Sequence, residues 1–174
     1  IAKEVMKRTN GSIDVKVYPA AQLGKVPRMI EGVLLGTIEG FISPPGFFKG
    51  LNPAFAAPDA PGLFNSFAHQ TKTMNHPTVR SKFLNLGTPK GVTGLYIAAA
   101  GASALAMREP VRKLTDVKGK KIRVLASPIE VAIMRSLGAA GTPMAYSEVL
   151  PAIQRRVLDG ASSAITVMGP SKFY

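Results

Sequence analysis

Arg123 stands in the run Lys121-Ile122-Arg123-Val124-Leu125, a β-branched apolar stretch that reads as a strand. Alternation along a strand sends its side chain to the face opposite Ile122 and Val124. A guanidinium inside a fold needs a partner, because an unpaired buried cation is costly. Its planar fork matches a carboxylate through two parallel hydrogen bonds, which lysine cannot reproduce. Taken alone, the residue fits either an internally paired structural arginine or a clamp for an acidic ligand. Tyr146 precedes Ser147, the expected N-cap of a helix over 147–158, and reads from its position as a hydrophobic staple onto that helix. Two further positions offer polar contacts. Ser43 ends an expected strand before Pro44-Pro45, with a hydroxyl for a ligand or for the strand end. Ser127 is the expected N-cap of a helix over 128–137 and would aim free N–H groups at an anion.

Other chemistries lack their residues. There is no cysteine, hence no thiolate nucleophile, disulfide or thiolate metal site. Neither G-x-G-x-x-G nor G-x-x-x-x-G-K-[ST] occurs, so no nucleotide cofactor is expected, and no G-x-S-x-G elbow is present. His69 and His76 lack carboxylates at ligand spacing and read as surface or capping residues, so no metal is expected. The ten carboxylates are scattered singly, with Glu4, Glu31 and Glu130 on polar helix faces. No catalytic constellation assembles, and the chain does not read as an enzyme.

The formal net charge of +12 raises the question of nucleic acid. The densest basic patch, Lys118 to Arg123, is broken by Gly119 and carries no interleaved aromatics for base stacking. Lys118, Lys120 and Lys121 read as a solvated loop, with a diffuse field that would concentrate an anionic solute. No nucleic-acid partner is expected. A basic nucleic-acid-binding α/β domain stays the alternative, and would need those lysines on one face with Arg155 and Arg156.

The elements that must position these residues alternate between helix and strand periods. Helices are expected over 1–9, stopped by Asn10-Gly11, and over 26–35, stopped by Gly36. Another is expected over 66–86, broken near Asn75-His76-Pro77. Strands are expected over 13–18, 37–43, 92–98, 121–125 and 161–167. Prolines at 53, 58 and 61 exclude a long element between 51 and 65. The alternation predicts an α/β fold with largely parallel strands. No apolar run approaches the ~20 residues of a membrane span.

Four segments, in order, resemble the substrate-binding subunits of tripartite ATP-independent periplasmic (TRAP) transporters, the DctP family. They are Thr9 to Gly24 (TNGSIDVKVYPAAQLG), Asp59 to Phe64 (DAPGLF), Leu114 to Val124 (LTDVKGKKIRV), and Leu137 to Gln154 continuing to Val157-Leu158-Asp159-Gly160. The resemblance implies a two-lobed α/β clamp of the periplasmic-binding-protein type II kind, incomplete at both ends. Residues 1–99 would form the first lobe and 100–174 the second, with a hinge between Ala98 and Ser103. Val15, Ile42 and Leu95 would then share one sheet, and Val124 and Ile165 another. It further implies a periplasmic protein, its signal peptide upstream, that passes a small organic acid to membrane-embedded transporter subunits. The solute receptor of an ABC transporter is the neighbouring alternative. By the same resemblance Arg123 grips the ligand carboxylate and Tyr146 packs on the ligand. Where some members carry a second arginine this chain has Ser103, and Ser162-Ser163 replace a frequent Glu-Asn pair. A monocarboxylate or another small organic anion is therefore expected, with hydroxyl contacts from Ser103 and Ser163.

Overall fold

The computed structural model describes residues 1–19 and 21–169. Its first half is helical. α1 (Ala2–Arg8) stops at Asn10 and Gly11, both at positive φ, and α2 (Val26–Leu35) starts with Pro27 in its first turn and ends on left-handed Gly36. The proline-rich stretch forms two 3-10 turns, Pro45–Gly50 and Pro53–Asp59, packed on each other. Phe41, Phe48, Phe55 and Phe83 run through this region as a chain of ring contacts 5.6–6.1 Å apart. α3 (Phe67–Asn75), capped by the Ser66 hydroxyl, and α4 (Pro77–Leu84) meet at His76, the break expected from Pro77.

The second half holds a mixed four-stranded sheet in the order β1-β4-β2-β3. Its strands are β1 (Ser103–Met107), β2 (Lys121–Val124), β3 (Ala140–Pro143) and β4 (Gly160–Ala164). β2 runs parallel to both β3 and β4, whereas β1 is antiparallel to β4. α5 (Pro128–Ser136) links β2 to β3, and α6 (Tyr146–Gln154) carries the chain back across β2 to β4. The right-handed sense usual for such crossovers sends helices that run in opposite directions to opposite faces, in keeping with Tyr146 of α6 lying against Arg123 while Ile122 and Val124 pack with Met134 of α5. Ile122 and Val124, both fully buried, pack with Val117, Met134 and Ala139 beneath α5. Gly141 lets that helix close in, since a Cβ there would lie 3.1 Å from the Cβ of Met134. The four-residue α7 (Ile165–Met168) follows β4. Among the described residues no helix is long and apolar enough to cross a membrane.

Several expectations need correcting. Segments 13–18, 37–43 and 92–98 are not strands, and Val15, Ile42 and Leu95 share no sheet. Alternation predicts a face, but only a hydrogen-bonded neighbour makes a strand. No ladder partner reaches these segments among the described residues, and Ile42 and Leu95 are 82% and 86% exposed. The last strand is shorter than expected, so Val124 lies in the sheet while Ile165 opens α7. The final link is the Ile165 N–H to the Ala102 carbonyl. α6 begins two residues early, with Ala145 rather than Ser147 at the N-cap, because the Glu148 N–H closes the first turn on the Ala145 carbonyl. β1 and β3 were not anticipated: Ser103–Met107 lies in a small-residue-rich run, and Ala140–Pro143 is too poor in β-branched residues to signal a strand.

Candidate functional site

Arg123 is 2% exposed, the largest fully buried side chain of the described residues. Register pairs it with Thr142 of β3 and Ala161 of β4, so it leaves the sheet on the face opposite α5. Its Nε donates to the Met144 carbonyl at 3.1 Å and its Nη1 to the Ser162 carbonyl at 3.2 Å. Two of the five N–H donors of a guanidinium are thus held by backbone, leaving one on Nη1 and both on Nη2. Among the described residues it forms no ion pair. Burial lowers its pKa, opposed by the nearby Glu130 carboxylate. The group remains a cation, fixed in orientation and in want of an anion.

Tyr146, the first residue of α6, sets its ring 5.7 Å from the Arg123 guanidinium carbon. Its hydroxyl donates to the Val167 carbonyl at 3.1 Å. Half-buried Ser163 is two residues beyond Ala161 in β4 and so shares the Arg123 face. Arg123, Tyr146 and Ser163 are thereby brought together.

The remaining three stand apart. Ser103 is exposed and pairs with Ala164, which puts it one residue out of phase, on the opposite face of the sheet from Ser163 and Arg123. Ser127 occupies the N-cap position of α5, but its side chain makes no capping bond. It borders an open depression of about 380 Å3 with Lys49, Val131, Arg135 and Pro143. Ser43 is half-buried just ahead of the Pro45–Gly50 turn and makes no side-chain hydrogen bond to the others.

Two carboxylates were not picked out as site residues. Ser127-Pro128-Ile129-Glu130 has the S-x-x-E spacing of a capping box. Instead, Glu130 Oε2 accepts the Leu125 N–H at 3.0 Å, turning its charge toward the exit of β2. That capping-box spacing was the available signal. Asp59, from the DAPGLF segment, has its pKa raised first by burial and then by Glu130. Its carboxylate lies against Gly46, where an added Cβ would collide with Oδ2. Residues 25 and 148 also meet across the molecule, Lys25 Nζ lying 3.7 Å from Glu148 Oε1.

The Asp59 shift makes a prediction about stability. A carboxyl whose folded pKa is raised contributes nothing when protonated in both states; it costs stability progressively as pH rises above the unfolded value, and in full once pH exceeds the folded value. Asp59→Asn is expected to raise the melting temperature at neutral pH and to leave it unchanged below the ordinary aspartate range. Thermal melts at the two pH values check this, and an equal gain at both would point to another cause.

The model of bacterial extracellular solute-binding protein family 7, DctP, matches residues 1–174. The 2,3-diketo-L-gulonate-binding periplasmic protein YiaO of Escherichia coli K12 is 33% identical over 171 residues, covering 98% of this chain and 52% of that protein. A TRAP periplasmic solute-binding protein from Xanthobacter autotrophicus Py2, solved with β-D-galacturonate bound, is 38% identical with a TM-score of 0.84. The match covers 93% of this chain and 54% of that one. Another from Polaromonas sp. JS666, bound to D-erythronate, is 28% identical with a TM-score of 0.89, covering 99% and 57%. The chain thus spans about half the length of the proteins it matches. The fold class is the α/β, two-lobed type II-like kind of these neighbours.

Proposed function

Because the chain belongs to bacterial extracellular solute-binding protein family 7, we propose that its protein captures a small organic acid in the periplasm and delivers it to the membrane subunits of a TRAP transporter. Residues 1–99 and 100–174 belong to two lobes that close on the ligand, with the hinge at 98–103. Gly101 there has φ 93°, and the Thr166 hydroxyl holds the Ala100 carbonyl. A signal peptide lies upstream in the complete protein, and the protein binds its solute without transforming it.

The observation that carries this reading is Arg123, a buried cation with three unused donors and no ion-pair partner among the described residues. A ligand carboxylate completes it by pairing with the free Nη1 and Nη2 hydrogens, while the carbonyls of Met144 and Ser162 hold the fork still. The Tyr146 ring, already against the guanidinium, packs on the carbon skeleton, and Ser163 offers its hydroxyl. One buried arginine favours a monocarboxylate, and the relatives with bound galacturonate and erythronate support a hydroxylated sugar acid. Ser103 contributes a hydroxyl only if lobe closure brings its face of the sheet to the ligand. Ser43 and Ser127 are second-line contacts on the same condition.

A thermal-shift screen of the full-length protein tests the class. Galacturonate, gulonate and erythronate are expected to raise the melting temperature, and galactose, which has no carboxylate, to leave it unchanged. At about a hundredfold excess over Kd a ligand adds roughly 2.7 kcal/mol, a shift that such screens resolve. Stabilisation by the neutral sugar and not by the acids would contradict the proposal.

A further inference from the structure

We propose that the turn Leu114–Val117, with the basic loop around it, is a surface that docks on anionic lipid headgroups. The two ends of this 3-10 turn have opposite fates: Val117 is 2% exposed in the core beneath α5, whereas Leu114 is 73% exposed. The turn is fixed as well as anchored. Asp116 Oδ2 accepts the backbone N–H of Arg112 at 2.9 Å and of Lys113 at 3.1 Å. Leu114 is therefore presented outward by a pinned turn, with Val111, 41% exposed, in the same loop.

Charge surrounds these apolar side chains. Residues 108–121 contain six cations and two carboxylates, and both carboxylates are occupied. Asp116 holds the backbone, and Glu109 pairs with Lys120 at 2.6 Å. Arg108, Arg112, Lys113, Lys118 and Lys121 form no ion pair among the described residues. A protruding leucine amid unpaired cations matches a surface that offers phosphate charge over an apolar layer. A dissolved anion or a nucleic acid offers the charge without that layer. The loop leads into the start of β2, while Met144 and Tyr146 lie beyond the end of β3, so the surface and the Arg123 site sit at opposite ends of the parallel strands. Docking here leaves the ligand site open.

The test is flotation of the full-length protein with phosphatidylcholine vesicles, with and without phosphatidylglycerol, at low and physiological salt. Binding is expected only with phosphatidylglycerol and is expected to weaken as salt rises. Each cation near such a surface contributes about fivefold, so Arg112→Gln/Lys113→Gln should reduce binding by at least about tenfold. Leu114→Asp and the milder Leu114→Ser, at an exposed position that leaves the core intact, should each reduce it severalfold. Lys3→Gln/Lys7→Gln on α1 makes the same change in net charge and should do little. No flotation at low salt would overturn the proposal. So would an equal loss from the α1 pair, which means diffuse charge, or full competition by inorganic phosphate with Leu114→Asp unaffected, which means a bare anion site. Sugar-acid affinity should be the parent's in every variant, so failure here is distinct from failure of the carboxylate reading.

Discussion

Arg123→Lys is expected to weaken organic-acid binding by about 2–5 kcal/mol although the charge is kept, the range for truncating one member of a buried hydrogen-bonded charge pair. The guanidinium does two things at once: Nε and Nη1 hold the Met144 and Ser162 carbonyls, and the remaining hydrogens face the ligand. A lysine ammonium is a compact point charge on a flexible stem and cannot span both carbonyls and both carboxylate oxygens. Lys120→Ala is the comparison. Lys120 lies in the same basic segment but pairs with exposed Glu109, so its loss should leave affinity almost unchanged. Calorimetric titration at two ionic strengths separates the cases, because a diffuse field would treat the two cations alike and fade with salt.

The neighbouring residue should behave in the opposite way. Ile122→Ala is expected to destabilise the fold by about 2–5 kcal/mol, the usual cost of deleting a large buried aliphatic side chain. Ile122 is 0% exposed and packs with Val117, Val124, Met134 and Ala139 on the α5 side of the sheet. One position along the strand, Arg123 points the other way, so the folded fraction of Ile122→Ala should bind ligand much as the parent does. Urea unfolding should show a lower midpoint with an unchanged slope. Together the two substitutions test the pleat of β2: one residue carries binding, the next carries stability. A large loss of affinity from Ile122→Ala with little loss of stability would mean that the faces are assigned wrongly.

What could be read from the residues was whatever depends on local chemistry. Asn10-Gly11, Gly36 and Pro77 end or divide helices through backbone constraints that need no partner, and these boundaries agree with the structure. β2 could be read because its β-branched alternation coincides with real neighbours on both sides. Segments 13–18, 37–43 and 92–98 have the alternation but no ladder among the described residues, and pairing is not a local property. At the site, alternation correctly sent Arg123 away from Ile122 and Val124. It could not show that backbone carbonyls would hold the guanidinium, because a carbonyl carries no residue signature. Nor could spacing separate Ser163 from Ser103. Only the antiparallel register of β1 with β4, pairing Ser163 with Ala104 and Ser103 with Ala164, puts them on different faces. Glu130 was assigned to a polar helix face although Ser127 stands three residues before it; the structure turns its carboxylate back to the Leu125 N–H.

The most direct measurement is a calorimetric titration of the full-length protein with the sugar acid that stabilises it best and with the primary amide of that acid. The two ligands share a skeleton and hydroxyls and differ in the group that Arg123 would grip. The acid should bind far more tightly, by at least about a hundredfold, since the amide leaves a buried guanidinium without its anion and presents two donors to it. Equal affinity for acid and amide would contradict the account, because no clamp built on Arg123 treats the two alike.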